Sequence, residues 1–518
     1  MISVRFNLDD DLVSYGFRHF VHKYGIPVEI DTRHSVAYIN YKDKCNNKFV
    51  IKIKDGSIKT FIKQILTNIR NINIIEDLIK YSENKVKMKL NVFKFTGLTL
   101  SGELDKILSE MNIGQKELSH VPIVDILEKE LFKILLYACR KLDVPLITKA
   151  LWPHGKSYAV CLTHDVDEIK KTYQYLTHFL RHLRRCEFKR ALYHVTTFFT
   201  NRLLKRNPYW TFDEIMKIEE ELGVRSTFFF LRETAKVNIF DPLTWHHYAR
   251  KYKWEDPEIA RVIKELSLKG WEVALHGSYF SYLKEDMLKE EKRSLEETLG
   301  DKVYGIRQHH LNLEIPDTWI YQERAGFEYD TSLGFKGNEG VGFKWWTCFP
   351  FHPYASKREL SLLVIPLTIM DICITPNEHG LRECYNLINE VRKCEGVLTL
   401  LWHHTVFNDK EYPGWTEMYR KIIEFCKKRN AWITTGYDLA RWWKIREKAI
   451  LKYEYKEGLI KIKNLGQFKF AKIYYPGGRK IRILDSENIK ILQRDHNSIV
   501  ISMENLRTSG RVLLEVMK

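Results

Sequence analysis

Residues 157–171 read SYAVCLTHDVDEIKK, an apolar run that stops abruptly on His164, Asp165 and, two residues on, Asp167. A short apolar run bounded by polar residues has the length of a buried strand. Two carboxylates side by side at a strand end repel each other unless something cationic stands between them. That pairing raises the question of what the cation is.

Outward from this stretch, residues from about 150 to 445 alternate short apolar runs with amphipathic helical segments. The runs are YAVCLT, RSTFFFL, WEVALH, VYGIR, GFEYD, LLVIPLT, GVLTLLW and AWITT, and the helices include 212–222, 257–270 and 418–429. This pattern predicts repeated β-α units, and seven or eight of them would close a distorted (β/α) barrel over 149–446. Residues 1–148 mix strand-like and helical stretches, which predicts an α+β domain without a catalytic constellation. Over 447–518 the period shortens to two, in LIKIKN, FKFAKIYY, KIRIL and SIVISM, so a small antiparallel β module is expected there.

The 518 residues are 44% hydrophobic and 29% charged, which is the composition of a globular chain with ample core. A formal net charge of +17 favours anionic partners. The plain alternative is lysine spread over solvated faces, and RHLRRCEFKR at 181–190 is the longest basic patch. Nine scattered cysteines without a CxxC pair predict reduced thiols and no cysteine zinc site. Acidic residues in MISVRFNLDDDL and the lack of any run of about 18 apolar residues lead to the expectation of a cytoplasmic protein.

In parallel sheets and barrels, chemistry gathers at the carboxyl ends of the strands. Here the strand candidates end in Asp165 and Asp167, His276, Arg307 with His309 and His310, Asp330, and His403 with His404. A lone histidine beside a strand is usually structural. Several ionisable residues at one end of a sheet are not explained by stability, because buried charges cost free energy unless paired or bound to metal. A His/Asp metal site answers the opening question: one aspartate binds the cation, and the other takes a proton from water that the cation acidifies.

These residues come in the order seen in the NodB-homology polysaccharide deacetylases (carbohydrate esterase family four), and over about 155–445 the chain resembles a divergent branch with an extra N-terminal domain. HDVD, HGSY, IRQHH, YDTS and LLWH carry the resemblance. It implies a distorted barrel and metal-dependent removal of an acetyl group from a sugar. By position, Asp165 would be the general base, Asp167 and His276 metal ligands, Arg307 a bidentate partner orienting Asp165, and His403 the general acid. Asp330 would hold His403 and raise its pKa.

The chain departs from the family at one point: HGSYF puts Phe280 where a second histidine is usual. A catalytic zinc normally takes three protein ligands and an open position, so His309 is the preferred replacement, ahead of His310 and His164.

The cofactor expected is a divalent metal, Zn2+ first, and no nucleotide cofactor, since neither GxxxxGK[ST] nor GxGxxG occurs. The substrate expected is a carbohydrate, with a nucleotide-linked or lipid-phosphate-linked precursor fitting the charge. Nucleic acid is not expected as a partner, while the basic balance leaves room for peripheral contact with an anionic membrane. The sequence carries no sign of oligomeric state. The runner-up reading is a catalytically silent deacetylase-like module that binds carbohydrate, or an anionic surface, through the barrel mouth and the β module. Tyr279, Trp319, Trp345, Trp346, Trp402 and Trp415 are candidates to stack on sugar rings, although core or loop packing is expected for most of them because large aromatics dominate cores; Trp245-His246-His247 is a weaker contact candidate, and 337–354 is a candidate loop over the site.

Overall fold

The computed structural model describes residues 2–6, 9–31, 36–39, 49–67, 77–234, 250–456, 458–463, 468–476, 479–484, 489–503 and 509–516. Trp245-His246-His247 lies outside them.

The opening apolar run forms β1 (Tyr158–Val166), whose nine residues are all buried. The other barrel strands are β2 (Thr227–Leu231), β3 (Glu272–Gly277), β4 (Gly305–Gln308), β5 (Tyr329–Asp330), β6 (Leu363–Val364), β7 (Ile369–Met370), β8 (Val397–Leu401) and β9 (Ala431–Thr434). They make one parallel sheet in the order β6-β5-β4-β3-β2-β1-β8-β7. On its second edge, β1 pairs with β9 through Tyr158–Cys161 and then with β2 through Thr163–Val166.

Closure comes from one extended segment. β6 pairs with β5, and Ile365 N donates to Asp330 O at 2.8 Å; beyond Pro366, Thr368 N donates to Thr399 O at 3.1 Å and β7 pairs with β8. LLVIPLT is therefore two half-strands, because proline has no N–H for a ladder. The barrel expected from the sequence is present, and the helices around it include Phe212–Leu222, with Gly223 left-handed at its end, and Pro257–Leu268, with a proline in its first turn.

The N-terminal region is α+β, as expected. Its six-stranded mixed sheet, centred on Ile2–Arg5 and Phe49–Ile53, packs with helices such as Asp11–Tyr24 and Ile123–Lys141 around a core of its own. Two four-stranded sheets at the other end are antiparallel. One of them takes in Leu146–Lys149, which pairs with Phe470–Tyr474, so this strand next to the expected boundary at 148 joins the C-terminal sheet.

Of the segment expected to form a loop over the site, Gly337 lines the cavity, but the aromatic part does something else. Trp345 and Trp346 are both 1% exposed, Trp346 packs in the N-terminal core, and Trp345 Nε1 donates to Asp105 Oδ2 at 3.0 Å. Asp125 accepts from Cys348 N at 2.7 Å and from Thr347 Oγ1 at 3.1 Å, while Lys23 Nζ lies 2.7 Å from both Asp125 and Glu128 with all three side chains fully buried. Residues 343–352 thus fasten the N-terminal region to the barrel. Trp319 and Trp402 are likewise buried core, so neither of them, nor Trp345 or Trp346, is available to stack on a sugar.

Asp125→Ala strands Lys23 beside a single carboxylate and removes an acceptor from the 347–348 backbone turn. Breaking such a buried pair costs about 3–5 kcal/mol. Urea unfolding of the variant should show that loss, and a loss under about 1 kcal/mol would show that docking does not depend on this cluster.

Candidate active site

The carboxyl ends of β1, β3, β4 and β8 meet at a cavity of about 310 Å3. Alternation along β1 decides what each residue faces. Asp165 points into the barrel, whereas His164 points outward: its Nδ1 donates to Trp402 O at 2.7 Å and its Nε2 lies 3.0 Å from Glu219 on the surrounding helix. His164 is thereby excluded as a ligand.

Arg307 is fully buried, with its guanidinium over the Phe229 ring at 4.5 Å. Its Nη1 donates to Asp165 Oδ1 at 2.7 Å, and its Nε and Nη2 donate to the carbonyl and hydroxyl of Thr331, each at 3.2 Å. The bidentate pair expected from sequence is therefore a single hydrogen bond, because Thr331 occupies the other half of the fork. Burial alone would raise the Asp165 pKa, but Arg307 and then His276 hold it below the ordinary value.

His276 Nδ1 donates to Arg307 O at 2.8 Å, which turns Nε2 toward both aspartates, 3.2 Å from Asp167 Oδ1 and 3.6 Å from Asp165 Oδ2. In the protein alone, the group that stands between the two carboxylates is this imidazole. Burial opposes its charging, yet Asp165 and Asp167 raise its pKa. Asp167 is likewise held far below the ordinary carboxylate range, with burial outweighed by His276 and Arg250, whose Nη2 stands 3.6 Å from Asp167 Oδ2.

His309 follows β4 and turns to the same point. Single ligand atoms of Asp167, His276 and His309 lie within 4.8 Å of one another. His309 Nε2 is buried and has no hydrogen-bond partner among the described residues, and Asp167 Oδ1 has only the His276 contact at 3.2 Å, while His309 Nδ1 stands 3.2 Å from Glu233 Oε2. Buried polar atoms without partners are costly, and two nitrogens with one carboxylate are a donor set that suits zinc. The residues present therefore fit a divalent ion. Phe280, at the position of the missing histidine, is 46% exposed and takes no part, while His310 adopts a left-handed backbone and faces Arg250 at 3.3 Å.

His403 also lines the cavity, and its partner is not the one expected. Asp330 faces the helix Asp317–Arg324 and is taken up by Ser332 N, Trp319 Nε1 and Gln322 Nε2, at 2.9, 3.3 and 2.9 Å. Asp371 holds His403 instead: its Oδ1 accepts from His403 Nδ1 and its Oδ2 from His403 N, both at 2.7 Å. Burial would lower the His403 pKa, but Asp371 pushes it up to about 10, so the imidazolium persists at neutral pH and is lost only as pH rises toward that value. Asp371 directly follows β7; carrying the run LLVIPLT on through IMD to its strand end would have found it. His404, the second histidine of the pair, bonds to Asp165 O through Nδ1 at 3.0 Å and stacks on Phe212.

No family model matches this chain, and no curated protein matches it. Among solved structures it is similar to a Mycobacterium smegmatis protein assigned as a polysaccharide deacetylase, at 18% identity and a TM-score of 0.38 over 57% of this chain and 93% of that one. It is also similar to Puue allantoinase, at 14% and 0.36 over 56% and 92%. A third is a CE4 family pseudoenzyme from Bacillus anthracis, at 13% and 0.27 over 55% and 66%. At such scores the likeness assigns neither activity nor substrate.

Asparagine at 371 keeps an acceptor for His403 Nδ1–H and removes the charge. In the metal-free protein, an imidazole NMR titration of Asp371→Asn should place the His403 pKa lower by about 1 to 3 pH units; an unchanged value would assign the shift to another group.

Proposed function

We propose that the chain is a divalent-metal-dependent hydrolase that removes an acetyl or similar acyl group from a carbohydrate. The observation that carries this reading is that one site holds a carboxylate bonded to a guanidinium, Asp165 with Arg307, and an imidazole bonded to a carboxylate, His403 with Asp371, each at 2.7 Å. Asp165 is kept ionised by Arg307, and His403 is kept protonated by Asp371. Two ionisable groups whose environments push their pKa values apart are the signature of acid–base catalysis.

Asp167, His276 and His309 would hold the metal. When bound there, a divalent ion, zinc by its donor set, supplies Lewis acidity toward an acyl carbonyl and acidifies water. Asp165 takes the proton from the attacking water, and Arg307 and Thr331 fix the direction of its lone pairs. His403, already protonated, delivers its Nε2 proton to the leaving amine or alkoxide. The Asp371 carboxylate offsets the charge on the ring before transfer and holds the neutral ring by Nδ1–H afterwards.

In this reading residues 149–446 are the catalytic unit, and 1–148 and 447–518 are accessory. A sugar precursor carrying a nucleotide or lipid phosphate fits the +17 charge balance. Lys336, Arg250 and His310 at the cavity rim supply positive or proton-donating groups for such an anion.

Two measurements test the reading. Elemental mass spectrometry should find close to one divalent ion per chain in the wild type, and much less in Asp167→Ala, His276→Ala and His309→Ala; a wild type that takes up no ion from added zinc would sink the metal reading. Acetate release from a panel of N- and O-acetylated sugars, free and phosphate-linked, should fall about 10²- to 10⁴-fold in Asp165→Asn with metal retained. Equal rates in the two proteins would remove Asp165 from the base role.

A further inference from the structure

Immediately after the Asp165–Glu168 turn the chain leaves the barrel as two helices, Gln174–Arg184 and Phe188–Leu203. A surface helix normally turns its apolar stripe inward. These two are inverted. Leu176, Leu180 and Leu183 recur at helical spacing on the first and are exposed. On the second, Leu192, Phe199 and Leu203 are 62%, 65% and 83% exposed.

The inner seam is polar instead. Lys171 Nζ donates to His194 Nδ1 at 3.0 Å and to Glu411 Oε1 at 2.6 Å, and His178 Nδ1 stands 3.9 Å from Glu411 Oε2. His178, His194 and Glu411 have metal-ligand spacing, but the Lys171 ammonium already supplies the cation there.

Residues 174–206 hold eight lysines and arginines and one acidic residue, Glu187. Those basic side chains, Arg184, Arg185, Lys189 and Arg190 at the bend among them, are all exposed. Contiguous exposed apolar surface marks an interaction site. Its chemistry selects among occupants. A second copy would bring two strongly positive surfaces together, which Coulomb repulsion opposes. A bilayer with anionic headgroups satisfies both features at once: acyl chains receive leucine and phenylalanine, and phosphates receive the arginines.

We propose that the hairpin 174–203 is a membrane-docking element that lies in the interface of an anionic bilayer. It is rooted at the cavity, since Gln174 Nε2 donates to Glu168 Oε2 at 2.7 Å and Glu168 lines the cavity wall. Docking therefore brings the cavity to the membrane surface whether or not the hydrolase reading above holds.

The full-length protein is mixed with sedimentable vesicles of phosphatidylcholine, alone or with about one-third phosphatidylglycerol, and the bound fraction is measured against salt. Binding to the anionic vesicles is expected, with weakening at high salt and little binding to phosphatidylcholine alone. Leu192→Glu/Phe199→Glu should bind at least about tenfold more weakly, and so should Arg184→Glu/Arg185→Glu, which leaves the apolar stripe intact and serves if the first variant melts early. Protein that stays in the supernatant with anionic vesicles at low salt overturns the proposal. So does a wild-type dimer by light scattering that the Leu192→Glu/Phe199→Glu variant converts to monomer without any vesicle binding, which would make the stripe a subunit interface.

Discussion

A guanidinium without solvent exposure, that of Arg307, donating at 2.7 Å to a buried carboxylate, that of Asp165, is the contact around which the site is assembled. Desolvating such a pair is costly, and its own attraction offsets that cost only when the remaining donors are satisfied. Thr331 satisfies them from the neighbouring strand end. The same residue acts a second time through its backbone, because Arg307 O receives His276 Nδ1–H and so aims His276 Nε2 at both aspartates. One position on β4 therefore orients the proposed base through its side chain and a proposed metal ligand through its carbonyl.

Barrel closure and site chemistry are tied together in a comparable way. The segment 363–370 bonds to β5 before Pro366 and to β8 after it, so the chain emerges next to β8, where His403 stands. Asp371 is the first residue past β7, and both its oxygens are used by His403. On the way to β6, residues 343–352 lay two tryptophans and a backbone turn against the N-terminal region, whose buried Lys23, Asp125 and Glu128 hold them. The N-terminal region thus braces the segment that leads to the Asp371–His403 pair, and none of its described residues lines the cavity wall.

The helical hairpin after β1 follows the opposite logic from the rest of the molecule. In helices such as Phe212–Leu222 and Pro257–Leu268 the apolar stripe faces the core; here a polar seam of Lys171, His194 and Glu411 joins the helices to the barrel, and leucines and phenylalanines face outward. Its sequence reads as amphipathic either way, because periodicity gives the width of an apolar stripe and not the side on which the protein lies.

Much of this was legible in the sequence. Apolar runs of strand length alternating with amphipathic helices set the barrel, and the rule that chemistry collects at carboxyl strand ends picked out Asp165, Asp167, His276, Arg307, His309 and His403, all of which meet at one place in the structure. The failures have a common cause. Asp330 and Asp371 each end or follow a barrel strand, and which of them reaches His403 depends on the face each side chain takes and on which strands the segment pairs with on either side of Pro366, neither of which is local in sequence. The aromatic run at 343–351 could as well cover a cavity as bury itself, and its destination was set by Asp105 and Asp125, more than two hundred residues away. Strand identity, strand order and the ionisable residues at the strand ends are properties of the chain read in order; partner choice, inward or outward facing, and the side on which an apolar stripe lies depend on distances between segments that only the folded packing brings together.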